Sequence, residues 1–173
     1  MVNLKRIVAE EIRVRTVVVE DAEAIAAMYN YYVTQTIVTF EEDPVTGAEI
    51  ARRLSEVTAT PLPWLVAERG GALVGYAYAT KWRPRRAYRY SAEVTVYTAP
   101  GLGGQGIGSM LYERLLPALR ECGVHAAMGG IALPNAASIA LHEKFGFRKA
   151  AHFTEAGFKF NRWVDVGYWQ RLV

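Results

Sequence analysis

Five glycines occupy the eight positions from Gly101 to Gly108. They separate the β-branched run Ser91–Thr98 from a long amphipathic stretch in which Ile107, Leu111, Leu115, Ala118 and Cys122 share one side and which Gly123 ends. Glycine this dense makes a turn, and its neighbours make it a strand-to-helix turn. Such a turn frees backbone N–H groups to point at an anion, and the dipole of the following helix favours negative charge there. A pyrophosphate is the natural guest; a tight turn without ligand is the alternative.

Two familiar phosphate motifs fail on context. Gly101 to Gly106 satisfies G-x-G-x-x-G, but the turn lies past mid-chain and the next strand, ending near Ala132, offers no acidic residue for a ribose. A P-loop fails because Ile107 stands where its lysine belongs.

The rest of the chain alternates element types. Ile12–Val18 reads as a strand running into a helix at Glu20-Asp21, and Asp21–Val33 carries Ala22, Ile25, Ala26, Met28, Tyr29 and Tyr32 at helical spacing. Thr36–Phe40 is β-prone but short and stops at Asp43-Pro44. Thr46 caps a second helix through Thr58, with Ile50, Leu54 and Val57 on one face. Trp64–Glu68 and Ala72–Thr80 flank Gly70-Gly71 as a hairpin. His125–Ala132 is a strand, Asn135 caps a short helix through Lys144, and Arg148–Phe160 and Val164–Leu172 supply the last strands. The order β-α-α-β-β-β-α-β-α-β-β predicts a mixed α/β (α+β) fold in a single domain over residues 1–173. The C-terminal aromatics Phe158, Phe160, Trp163, Tyr168 and Trp169 read as core or dimer packing.

Composition narrows the function classes. A net charge of +3 permits an anionic ligand without demanding nucleic acid or membrane. One cysteine, Cys122, excludes an internal disulfide and a thiolate metal cage, and no metal is expected. The first fifteen residues alternate charged and apolar side chains without a signal-peptide run, and no segment approaches the roughly 20 apolar residues of a membrane span. The cytosol is the expected compartment by default.

Three groups of residues invite chemistry. Glu93 is a lone carboxylate on a strand of Val, Thr and Tyr, either a general base or an outward-facing charge. Arg83 and Arg85 precede it in a loop; guanidinium forks suit paired hydrogen bonds to carboxylate or phosphinate, although a solvated basic loop is common. Basic and aromatic residues interleave from Lys81 to Tyr90, yet one short cluster in a near-neutral chain is thin support for nucleic-acid binding. Asn135, Ser138 and His142 lie on one helical face that can meet a ligand tail between two helices, or simply be a capped surface helix.

Together these parts resemble the GCN5-related N-acetyltransferase (GNAT) superfamily, with Gly103-Gly104-Gln105-Gly106-Ile107-Gly108 matching its pyrophosphate turn. The phosphinothricin and methionine sulfoximine N-acetyltransferase branch is the closer resemblance. It rests on Trp82–Tyr88, on Glu93 before Val96-Tyr97, on Leu133-Pro134-Asn135 with Leu141-His142-Glu143, and on the ending from Gly157 through Trp163 to Arg171. That turn usually begins with Arg or Gln, whereas Gly103 stands here, so any side-chain contact to phosphate is lost or passes to Gln105.

The resemblance implies a mostly antiparallel sheet flanked by helices, acetyl-CoA as co-substrate, a small amine as partner, and a homodimer. It implies that the backbone at Val94, Thr95 and Val96 splays from its neighbour strand to bind pantetheine and polarise the thioester. It also implies that Asn135 and Ser138 face the cofactor and that Glu93 is the base. His142 stands where many members carry a thiolate-protonating tyrosine, so it either transfers that proton or holds water. Arg83 and Arg85 become substrate-anion ligands, with Phe40 and Tyr88 as walls. An α-amine of pKa near 8 is about a tenth neutral at pH 7, far more than a lysine near 10.4, which favours amino-acid-like acceptors. Acceptors of the protein N-terminal or polyamine kind, and an acyl-CoA sensor without turnover, are the alternatives.

Overall fold

The computed structural model describes residues 11–173. Residues 1–10, which hold most of the N-terminal run read above for targeting signals, lie outside the described residues. Seven strands and four α-helices follow in the order β1 (Arg13–Thr16), α1 (Ala22–Gln35), α2 (Gly47–Thr58), β2 (Trp64–Arg69), β3 (Ala72–Lys81), β4 (Ser91–Thr98), α3 (Ile107–Glu121), β5 (Ala126–Ala132), α4 (Ala136–Lys144), β6 (Arg148–Lys159) and β7 (Arg162–Leu172). They build one sheet ordered β1-β2-β3-β4-β5-β7-β6, antiparallel throughout except for the β4–β5 pair. The mixed α/β architecture is the one the element order predicts, and the mostly antiparallel sheet is the one the resemblance implies.

Local chemistry sets the boundaries. Gly70 and Gly71 both take positive φ and turn β2 into β3, a conformation other residues adopt only under strain. Thr46 accepts from the Glu49 N–H at 3.2 Å, and Asn135 from the Ser138 N–H at 3.1 Å, so both expected caps form. Asp21 makes no cap. Its carboxylate accepts from Arg15 at 2.7 and 2.9 Å and from the Val18 N–H at 2.9 Å.

Two apolar layers cover the sheet. Ile107, Leu111, Tyr112, Leu115, Leu116 and Leu119 of α3 pack on Ala77, Ala79, Ala92 and Val94, and each fully buried leucine contributes about 1.5–3 kcal/mol. Ala118 and Cys122, expected on that inner face, are only half-buried. On the opposite face Ile25, Met28, Tyr29 and Val33 of α1, with Ile50 and Leu54 of α2, pack on Val66, Tyr76 and Tyr97.

Thr36–Phe40 forms no strand, because its hydroxyls take local backbone partners: Thr36 Oγ1 donates to Tyr32 O at 2.9 Å and accepts from the Val38 N–H at 3.2 Å. Of the C-terminal aromatics only Trp169 is core; Phe158, Phe160 and Trp163 are about half-exposed or more. No helix among the described residues is long and apolar enough to cross a membrane.

Candidate active site

The glycine turn takes its shape from three left-handed residues, Gly101, Gly104 and Gly106, at φ of 80°, 78° and 81°. Gly106 is the N-cap of α3 and, lacking a side chain, leaves the first-turn N–H groups without a side-chain partner. Gly108 lets the helices close: a Cβ there would lie 2.9 Å from Leu141 of α4. Between them runs a groove of about 770 Å³, lined by the turn, by Ile107 and Gly108, by Asn135, Ser138 and Lys144, and by Val96–Thr98 of β4. Tyr31, Tyr32, Thr36 and Val38 form its far wall. Tyr32 fixes that wall to the sheet, donating to Thr98 O at 2.6 Å.

Thr95 does not line this groove, and Gln105 also faces away, its amide oxygen accepting from Arg69 at 3.2 Å. Gly103 has a negative φ, and a Cβ added there would meet nothing within 4 Å, so neither space nor strain requires glycine at this position.

The sheet opens beside the groove. β4 pairs with β5 only from Ser91 to Glu93, opposite Ala126 to Met128, after which the strands diverge. Val94, Thr95 and Val96 keep β3 on one side and lose the neighbour on the other, as expected for a splayed strand.

Glu93 is therefore the last paired residue, at the apex of the split. Alternation with Ala92 and Val94, which face α3, turns it to the α1–α2 face. Its carboxylate lies over Gly130 of β5: a Cβ on that glycine would stand 3.0 Å from Glu93 Oε1 and 3.1 Å from the Tyr168 ring. Burial holds the Glu93 pKa above the ordinary carboxylate value, partly offset by the positive charge of Arg83. Arg83 stacks on Trp82 at 4.9 Å, and Trp82 meets Tyr168 edge-on at 5.2 Å, closing an aromatic and cationic rim around the carboxylate.

His142 is on the other side of the sheet. It is 3% exposed and occupies the space above Gly129, where a Cβ would fall 2.2 Å from its Nε2. Nδ1 lies 2.8 Å from Ser138 O, which can only accept, so Nδ1 carries the proton and Nε2 accepts from the Tyr112 hydroxyl at 3.0 Å. Burial lowers its pKa, which keeps the ring neutral. The structure does not bring His142 to Glu93; its neighbour Ser138, not the imidazole, reaches the groove.

Of the remaining expected residues, Arg83, Arg85 and Tyr88 are all exposed on the loop, and of these only the charge of Arg83 acts on Glu93. Phe40 packs its ring on Gly157 of β6. Sequence reasoning missed Trp82, Tyr168, Lys144 and the Gly129-Gly130 pair. Only the paired glycines in an otherwise apolar strand were a signal that side chains from both faces must crowd β5. Among the described residues no His, Cys, Asp and Glu group is arranged to hold a metal ion.

A helix N-terminus at a glycine turn, beside a sheet that splits at a half-buried carboxylate, suits a ligand with a phosphate-bearing tail. The acetyltransferase (GNAT) domain model matches residues 14–167, and the chain belongs to that acetyltransferase family. It is 43% identical over 166 residues to a phosphinothricin N-acetyltransferase of Streptomyces coelicolor, covering 93% of this chain and 96% of that protein. An L-methionine sulfoximine/L-methionine sulfone acetyltransferase of Salmonella typhimurium is 37% identical over 153 residues, covering 87% and 88%. Among solved structures, a phosphinothricin acetyltransferase from Sinorhizobium meliloti in complex with AcCoA superposes with a TM-score of 0.90 at 35% identity, covering 94% of this chain and 88% of that one.

Proposed function

We propose that the protein transfers acetyl from acetyl-CoA to the α-amine of a small amino-acid-like acceptor of the phosphinothricin, methionine sulfoximine or methionine sulfone type. The observation that carries this is the β4–β5 split, with half-buried Glu93 at its apex and the open N-terminus of α3 at its foot. The names of the relatives support the acceptor class.

The residues fit the donor. The uncapped first turn of α3 and the N–H groups of the glycine turn suit a pyrophosphate, and Lys144, held by Ser109 Oγ at 2.8 Å, adds a cation to the groove. Bound acetyl-CoA supplies the activated thioester. The β5-free edge of Val94–Val96 donates hydrogen bonds to the donor in this reading, which the end of β4–β5 pairing at Glu93 supports. Glu93, directly or through a water, takes a proton from the acceptor ammonium; the neutral amine then forms the new C–N bond, the C–S bond breaks, and the nitrogen's surplus proton passes to the departing thiolate. Burial aids this role by making the carboxylate a better base.

Arg83 recognises the acceptor's acidic group at the same rim, and Trp82 and Tyr168 shape it. We assign His142 to holding α4 and Ser138 on the sheet rather than to proton transfer. A cytoplasmic homodimer, with the exposed Phe158, Phe160 and Trp163 in its contact, completes the reading.

Acetyl-CoA-dependent thiol release with L-phosphinothricin, methionine sulfoximine, methionine sulfone and spermidine tests it. Release with the three amino-acid analogues and not with spermidine is expected. Release with spermidine alone would refute the anionic-acceptor reading.

A further inference from the structure

The segment between α1 and α2 builds the far wall of the groove through Thr36 and Val38, yet forms neither strand nor helix. It is fastened at Thr39. Lys159, the last residue of β6, is 1% exposed on a strand whose other residues are nearly all exposed. Its ammonium donates to Thr39 O at 2.7 Å. From the other side, Thr39 Oγ1 and the buried Tyr29 hydroxyl lie 2.6 Å apart. Tyr29 in turn meets Tyr97, on the splayed half of β4, edge-on at 5.4 Å. Next to Thr39, Phe40 lies so close on Gly157 that a Cβ there would come within 2.0 Å of its ring.

A buried ammonium is costly to desolvate, and a methionine would fill the same space. What the amine adds is a bond to a main-chain carbonyl, which fixes the path of the loop whatever its side chains are. Glu41 and Glu42 place negative charge near the ammonium, and Glu41 is itself tied to Arg53 at 2.7 Å. The end of β6, α1 and α2 thus all converge on one short stretch of groove wall.

We propose that Lys159 is a positioning residue for acceptor binding, holding the 36–40 wall against the splayed half of β4. The inference rests on the acetyl-transfer reading in assigning this wall, which packs on the sheet face that carries Glu93, to the acceptor; the donor phosphates are assigned to the α3–α4 side of the same groove. Lys159→Met, with Lys159→Arg as the variant that keeps a cationic donor, is the test. Two readouts are needed: amide hydrogen exchange across the whole chain, and separate kcat and KM for acceptor with Kd for acetyl-CoA. In Lys159→Met, exchange at residues 36–41 should quicken about tenfold or more while α3 is unchanged. Acceptor kcat/KM should fall about 10–100-fold, mainly through KM, with the acetyl-CoA Kd within about twofold. Lys159→Arg should recover part of both effects.

Unchanged exchange and KM in Lys159→Met would overturn the proposal. So would exchange that quickens throughout the chain in both variants, since Lys159 would then be an ordinary core residue. If the wild type acetylates no amine while local exchange still responds, the clamp stands and the acetyl-transfer reading fails.

Discussion

Gly129→Ala asks whether His142 is part of the packing or part of the chemistry. Alanine in a strand interior ordinarily gains about 0.5–1 kcal/mol over glycine. Here the new methyl would lie 2.2 Å from His142 Nε2 and 2.6 Å from its Cδ2, so the imidazole must retreat by more than an ångström. Retreat breaks the 3.0 Å bond to Tyr112, whose hydroxyl is buried with its ring at 0% exposure. Leaving that hydroxyl unpaired costs about 1–3 kcal/mol. Overpacking against Tyr112 and Phe147, both in contact with the imidazole, costs about 1–3 kcal/mol more.

A net loss of about 1–5.5 kcal/mol, after the alanine gain is taken off, is therefore expected in urea unfolding, equivalent to roughly 2–20 °C in Tm for a domain of this size. In the Gly129→Ala/His142→Ala double variant the methyl falls into the space left by the ring, so the penalty of the glycine change should largely vanish. Gly129→Ala as stable as the wild type, or more stable, would refute the packing assigned to His142.

Two further outcomes follow from the geometry. Because burial raises the Glu93 pKa and Arg83 pulls it back down, kcat/KM should rise with pH through a midpoint above the ordinary carboxylate range. Arg83→Met should move that midpoint higher still; the acceptor amine titrates identically with both enzymes, so the difference isolates Glu93, and a shift to lower pH would contradict the placement of Arg83. Gly103→Arg fills open space at a negative φ beside the turn and should tighten acetyl-CoA by about 2–10-fold, an effect that fades with added salt. Gly104→Arg, at a φ of 78°, should weaken it, as calorimetric titration can show.

What could be read from the sequence was what local chemistry determines. The glycine turn, the Thr46 and Asn135 caps and the Gly70-Gly71 hairpin depend on a few neighbouring residues, and each forms where expected. Glu93 stood out because a carboxylate interrupts an apolar strand. The relation of Glu93 to His142 could not be read in the same way. Period-two alternation says which residues of one strand share a face, whereas placing α4 on the face opposite Glu93 depends on the β4–α3–β5 crossover and on how β5 pairs with β7. Lys159 was hidden for a similar reason: at the end of a strand that is half polar it reads as a surface charge, and its partner, the Thr39 carbonyl, lies 120 residues away in the chain. Thr36–Phe40, β-prone but short, stays out of the sheet because β-propensity measures fit to a sheet, and this stretch has hydroxyl partners close at hand instead.

The base assignment is tested most directly by Glu93→Gln, which keeps the size and hydrogen-bonding shape of the side chain over Gly130. Acetyl-CoA Kd should stay within about twofold while kcat/KM for the acceptor falls about 10²–10⁴-fold and no longer rises through the Glu93 midpoint. A variant that keeps both the rate, within about threefold, and the wild-type pH profile would contradict Glu93 as the group that takes the proton.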